Sequence, residues 1–263
     1  MKRLIKVFAI VSAFSLCAVF AGCSKATDPT SSGEPSAQPA ATQAVGDTTE
    51  AQVEETTAPI EETTALPTDP EAYLTMYDEG SYFNSSLYKD CEYQMPLIKL
   101  DSADAKSANS ELEEIYRQCQ EDIKLAESPE YIDGVQTVSY TAALNGPVLS
   151  LCVERVYHMS VRKYNVVNID VLTGEGLDNS AVLSAAGTSE EQIKDQTKTA
   201  VDAFYSDRYS ANIGSKSYHK TMSDENIAAA RYYLGADNSV YAAFDVFFEA
   251  GVGITEGTAQ ITG

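Results

Sequence analysis

His158 and His219 are the only imidazoles in the chain, and they stand 61 positions apart. Neither belongs to a His-Glu-x-x-His run or stands at a metal spacing from a cysteine, so the sequence offers no zinc site. Asp-x-Asp calcium loops closed by Gly and Glu are missing, and Asp237-Asn238 has the composition of a turn. No serine sits in a Gly-x-Ser-x-Gly elbow, which leaves a hydrolase triad without its sequence mark. Carboxylates are plentiful, 39 in all. A glycosidase-type pair is therefore available by residue type, but most carboxylates on so acidic a chain serve as solvated surface. No motif calls for a cofactor.

The cysteines carry more information. Lys2, Arg3 and Lys6 form a positive start, Val7 to Phe20 is apolar apart from Ser12 and Ser15, and Ala21-Gly22-Cys23 follows. That order is a secretory signal, too short to span a bilayer core of roughly 30 Å. Val19-Phe20-Ala21-Gly22-Cys23 resembles a bacterial lipobox, with Phe20 where Leu is usual. The expectation is cleavage after residue 22 and diacylglycerol on Cys23, which anchors the chain to the outer face of the cytoplasmic membrane. Cys91, Cys119 and Cys152 remain. They read as buried small apolar residues, with a Cys91–Cys119 disulfide as the alternative outside the membrane.

Residues 24–70 hold ten Thr, six of the nine prolines and no aromatic residue, with Val45, Val53, Ile60 and Leu66 as the only larger apolar side chains. Such a segment cannot repay the entropy of ordering, so 23–70 is expected to be a disordered tether. A flexible coil of that length averages ~40 Å end to end, and full extension reaches ~160 Å. A spacer through a cell wall is one reading; a linker of no selected length is the other.

The domain expected over 71–263 contains every one of the 16 tyrosines. It carries 30 Asp and Glu against 14 Lys and Arg, a balance of −16. A field of that sign repels phosphate backbones, excludes nucleic acid as a partner, and favours cationic ones.

Hydrophobic periodicity sets the expected elements. Tyr93 to Leu100 reads as a strand, and Pro96 within it argues for a sheet edge. Asp101 or Ser102 then caps a helix whose apolar stripe is Ala105, Ala108, Leu112, Ile115, Cys119 and Ile123. Val135–Leu144 and Val148–Tyr157 flank Asn145-Gly146 as a hairpin, and Tyr164–Leu172 adds a third strand. A capping box at Ser189 and Gln192 opens a second helix with Ile193, Ala200, Val201 and Phe204. Ser223 starts a short third helix, and Tyr232–Leu234 with Val240–Phe248 reads as a last hairpin. The expected class is α+β: an antiparallel meander sheet with two longer helices packed on it, with subdomains at about 71–130 and 131–263 as an option.

The order and wording of these elements resemble a pair of extracytoplasmic domains of unknown function. That pair is found in lysozyme-sensing anti-sigma factors, membrane-anchored peptidoglycan deacetylases and Gram-positive lipoproteins. The likeness rests on Met95-Pro96-Leu97-Ile98-Lys99-Leu100-Asp101 with Ala105 and Asn109, on Val138-Ser139-Tyr140 with Leu144-Asn145 and Val148–Leu151, and on Tyr164–Asp170 with Thr173-Gly174. It covers about 91–254. Relatives often carry a Gly-Gly-Ala-His type loop where this chain has Tyr157-His158-Met159-Ser160-Val161-Arg162-Lys163. Without those glycines, positive φ is not expected there. The resemblance implies a module that binds or senses a ligand outside the membrane, with a basic protein such as lysozyme, or peptidoglycan, as partner. A non-catalytic binding domain is the first expectation; a peptidoglycan-active enzyme or carbohydrate-binding accessory is the alternative. The candidate ligand site is the cationic, aromatic cluster Arg155, Tyr157, His158, Arg162, Lys163 and Tyr164, against a plain solvated hairpin end.

Overall fold

Four layers stack in the order helix, sheet, sheet, helices, in a computed structural model that describes residues 66–126, 128, 134–248 and 253–262. All of these belong to one unit, Glu61–Gly263. The expected signal peptide, Cys23 and nearly all of the expected tether lie outside the described residues. No helix among the described residues is long and apolar enough to cross a membrane.

The first sheet has five strands in sequence order: β1 (Leu74–Asn84), β2 (Lys89–Ile98), β3 (Val135–Asn145), β4 (Val148–Tyr157) and β5 (Arg162–Asp170). β3, β4 and β5 form the expected antiparallel meander, but β2 meets β3 in parallel through Tyr93 and Val138, so the sheet is mixed. The helix between them, α1 (Ala103–Ala126), supplies the crossover that a parallel pair requires. β2 is also interior, contrary to the edge position inferred from Pro96. Pro96 faces Met76, and the ladder is interrupted by a bulge between Met76 and Asp78, where a missing N–H does least harm.

β1 is one of two strands that periodicity does not reveal, the other being β8 (Ile254–Thr262) of the second sheet. Only Leu74 and Asn84, its two ends, are buried, so no apolar alternation marks it. The β3–β4 hairpin forms where expected, with its turn one residue later: Asn145 pairs with Val148, and Gly146-Pro147 are the central residues. Gly146 has φ 57°, the left-handed value that a two-residue loop with glycine first demands.

α1 lays Ala105, Leu112, Ile115 and Cys119 against Leu149, Leu151, Val153 and Ile169. The Ser102 hydroxyl accepts from the Ala105 N–H and caps its start. Asn109 holds the helix to the end of β2: its amide accepts from the Ile98 N–H and donates to the Ile98 carbonyl, both at 2.8 Å. The turn after β5 closes against the same cap. Gly174 has φ +75°, and a Cβ there would stand 2.5 Å from the Ser102 Cβ, so only glycine fits.

The second sheet is β6 (Arg231–Leu234), β7 (Val240–Phe247) and β8 (Ile254–Thr262), all antiparallel. One of its faces meets the first sheet through Cys152, Tyr164, Tyr233 and Ala243. The other packs Tyr232, Leu234, Val240, Ala242, Phe244 and Val246 against a helical layer. That layer comprises α2 (Asn179–Ala185), α3 (Glu190–Tyr209), α4 (Lys216–Thr221) and α5 (Asp224–Ala228). The second long helix, α3, thus covers this sheet and not the meander as expected. The boundary offered near residue 130 does not follow the sheets, because β2 and β3 on either side of it are neighbours.

β6 solves its edge problem with side chains. Asn179 accepts from the Tyr232 N–H and donates to the Ala230 carbonyl, Asn168 donates to the Tyr232 carbonyl, and Ser150 accepts from the Leu234 N–H. Buried backbone groups are thereby paired without another strand.

Cys91, Cys119 and Cys152 are all buried free thiols, so the alternative of a Cys91–Cys119 disulfide is not what the structure has. Burial pushes Cys119 up to about 11 and Cys152 up to about 12, away from thiolate chemistry.

Candidate functional site

The cationic, aromatic cluster read from the sequence lies on the β4–β5 hairpin, and strand geometry divides it. Across the pair Glu154 faces Tyr164 and Arg155 faces Lys163. Because side chains alternate, Arg162 and Tyr164 share the face turned to the second sheet, while Arg155 and Lys163 take the α1 side by register. Arg155 donates to Asn165 at 2.7 Å and to the Tyr157 hydroxyl at 3.3 Å, close enough to Cys119 to favour its thiolate against burial. It is part of the α1 side of the sheet. His158 and Met159 lie in the single helical turn that joins the strands, and the buried His158 Nδ1 has no hydrogen-bond partner. The six residues therefore do not form one patch.

The hairpin tip also corrects the expectation about backbone. Met159 and Ser160 adopt φ of 57° and 59° without glycine, so the positive φ that was not expected there is imposed by the surrounding strands. Left-handed backbone costs an ordinary residue about 1 kcal/mol or more. Met159 is 68% exposed and its side chain gives back little of that cost. Met159→Gly is therefore expected to stabilise the fold by about 1 kcal/mol, read as a higher urea midpoint at unchanged slope. An unchanged or lower midpoint would count against strain at the tip.

Arg162 and Tyr164 enter a cleft between the two sheets. Its walls are Ser139, Tyr140 and Thr141 from β3, Cys152 and Glu154 from β4, Tyr233 from β6, Thr258 from β8 and Arg208 from the last turn of α3, around a cavity of about 200 Å³. Glu154 takes the Arg162 guanidinium as its ion pair and accepts from the Tyr164 hydroxyl at 2.7 Å. Burial, then that bond to Glu154, pushes Tyr164 up to about 12, so it stays a donor. Burial likewise raises Tyr233, which packs beside Cys152 and Thr258.

Behind this wall Glu256 ties β5, β6 and β8 together. It accepts from the Tyr164 N–H and from Arg231, both at 2.7 Å, and meets the Lys163 ammonium at 3.7 Å. Arg231 also donates to the Tyr164 carbonyl at 2.7 Å. Tyr164 is thus fixed at its N–H, carbonyl and hydroxyl.

Sequence reasoning found Arg162 and Tyr164 and missed Glu154, Arg208, Tyr233 and Thr258. The last three come from separate elements that only the fold brings to one cleft. Glu154 was legible only as a polar residue within a strand. Chemically the cleft offers hydroxyl and guanidinium donors around a single carboxylate that is already bonded. Among the described residues no three metal-ligating side chains gather. Compared with family models and with curated proteins, the sequence matches none.

Proposed function

We propose that this chain is a lipid-anchored extracytoplasmic protein, held by acylated Cys23 and the 23–70 tether, whose folded part binds a basic protein of lysozyme type without catalysing a reaction. The observation that carries the reading is charge: 30 acidic residues face 14 basic ones over 71–263. Glu79, Asp90 and Glu92 on the β1–β2 face turned away from α1, and Asp104, Glu111 and Glu113 on α1, are all exposed, so a cationic partner meets acidic side chains on either side of the sheet. Kinship with the extracytoplasmic domain pair is part of the proposal. It is supported by the places taken by the matching residues: Asn109 secures the end of β2, and Gly174 closes on the cap of α1.

The test is binding of the chain to hen lysozyme by calorimetry. A Kd of about 10 μM or tighter at low salt is expected, weakening several-fold at about 0.15 M salt as the attraction is screened. No binding at low salt would remove the proposal.

A further inference from the structure

We propose that the cleft between the two sheets is a binding site for a small polar ligand bearing one carboxylate, with Arg208 as its anion-binding residue. The described unit has five arginines, and three of them, Arg162, Arg208 and Arg231, stand around Tyr164 or the cleft that it lines. Two are already committed: Arg162 to Glu154, and Arg231 to Glu256 and the Tyr164 carbonyl. Arg208 has no ion pair with a described carboxylate, on a chain where acids outnumber bases about two to one.

Its position is built. The guanidinium carbon lies 4.1 Å from the centroid of the Phe204 ring, one helical turn earlier, and Phe204 in turn meets Phe244 edge-on at 5.3 Å. Gly257 on β8 leaves the room for that ring, since a Cβ there would stand 2.6 Å from Phe204 Cζ. With its guanidinium carbon over that ring and the residue itself exposed at the mouth of the cleft, Arg208 keeps N–H donors for a ligand carboxylate, which a guanidinium can bind through two of them. Around it the hydroxyls of Tyr233, Thr141 and Thr258 can bond the rest of a polar ligand. At about 200 Å³ the cavity is below the ~300 Å³ from which sites for drug-sized molecules begin, so the occupant is the size of one sugar or one to two amino acids.

That chemistry has two sources, an acidic sugar and the free C-terminus of a short peptide, and the experiment separates them. The full chain is titrated calorimetrically with N-acetylmuramic acid, with uncharged N-acetylglucosamine, with acetyl-D-alanyl-D-alanine and with its C-terminal amide. One of the two acids is expected to bind with a Kd below about 1 mM, and its uncharged counterpart at least tenfold more weakly. Arg208→Gln should weaken the acid at least tenfold, while Arg117→Gln, an exposed substitution on α1 of equal charge change, should not. Absence of binding by both acids at millimolar concentration, or equal binding by Arg208→Gln, overturns the proposal. Lysozyme binding fails or succeeds separately, because it depends on the acidic surface and weakens with salt, whereas salt relieves the long-range repulsion between this anion and the protein.

Discussion

Glu256→Ala is expected to destabilise the folded unit by about 3 kcal/mol, the largest effect of any single substitution considered. The change removes the acceptor for the buried Tyr164 N–H and leaves Arg231 and Lys163 without their shared carboxylate. Breaking a buried pair by deleting one partner costs about 3–5 kcal/mol. The lower end applies here because the Arg231 and Lys163 side chains are 40% and 38% exposed and water partly compensates them. For a unit of this size the loss appears as a fall of about 10 °C in Tm. Glu256→Gln should lose about half as much, since its amide oxygen can still accept from the Tyr164 N–H and Arg231 while its NH₂ group faces Lys163. Equal losses for the two variants, or a loss under about 1 kcal/mol for alanine, would show that Glu256 does not join the strands as described.

Cys23→Ala is expected to move nearly all of the chain from the membrane fraction to the culture medium or the soluble envelope fraction. On the proposed reading the stretch ahead of Cys23 is cleaved as a signal and is too short to span a bilayer, so the anchor would be chemical. Each buried CH₂ of an acyl chain contributes about 0.8 kcal/mol, and stable attachment needs two such chains on one sulfur-linked glycerol. Removing the thiol removes both. Because Cys23 precedes the first described residue by 43 positions, the variant should keep the urea midpoint of the parent. Membrane retention of Cys23→Ala, or maturation of the parent that ignores inhibitors of lipoprotein signal peptidase, contradicts the anchor.

The two predictions rest on different kinds of information. The resemblance of Val19–Cys23 to a lipobox is carried by a local string that needs no fold, and so is the expectation of an unstructured tether, which follows from ten threonines, six prolines and no aromatics over 24–70. Local signals also placed α1, the β3–β4 hairpin, α3 with its Ser189 cap, and α5 after Ser223, because each is defined by residues within a turn or a strand of one another. Ser189 accepts from the Gln192 N–H, as the capping pattern required.

Arrangements set by partners distant in the chain were illegible. β1 shows no apolar alternation because its inward positions from Asp78 to Asn84 are Asp78, Gly80, Tyr82 and Asn84, and its pairing with β2 is what makes it a strand. β8 escaped notice for a related reason: Ile254–Thr262 alternates weakly, and its Glu256, which looks like a surface charge, is buried among three strands. Pro96 argued for an edge, yet a bulge in the neighbouring strand made an interior place tolerable. Met159 and Ser160 argued against left-handed backbone, yet the flanking strands impose it.

The candidate site divides along the same line. Composition by itself determined that the folded part is strongly acidic and that Arg155, Tyr157, His158, Arg162, Lys163 and Tyr164 form a cationic run, since charge and residue type are properties of the string. Only the tertiary structure decided that the run splits, with Arg162 and Tyr164 turned to the cleft and Arg155 turned to α1, and that Arg208 and Tyr233 join the first pair. The reason is the two-residue period of a strand, which sends neighbours to opposite faces, combined with the packing of a second sheet whose residues lie 67 to 100 positions beyond Tyr164 and Arg162.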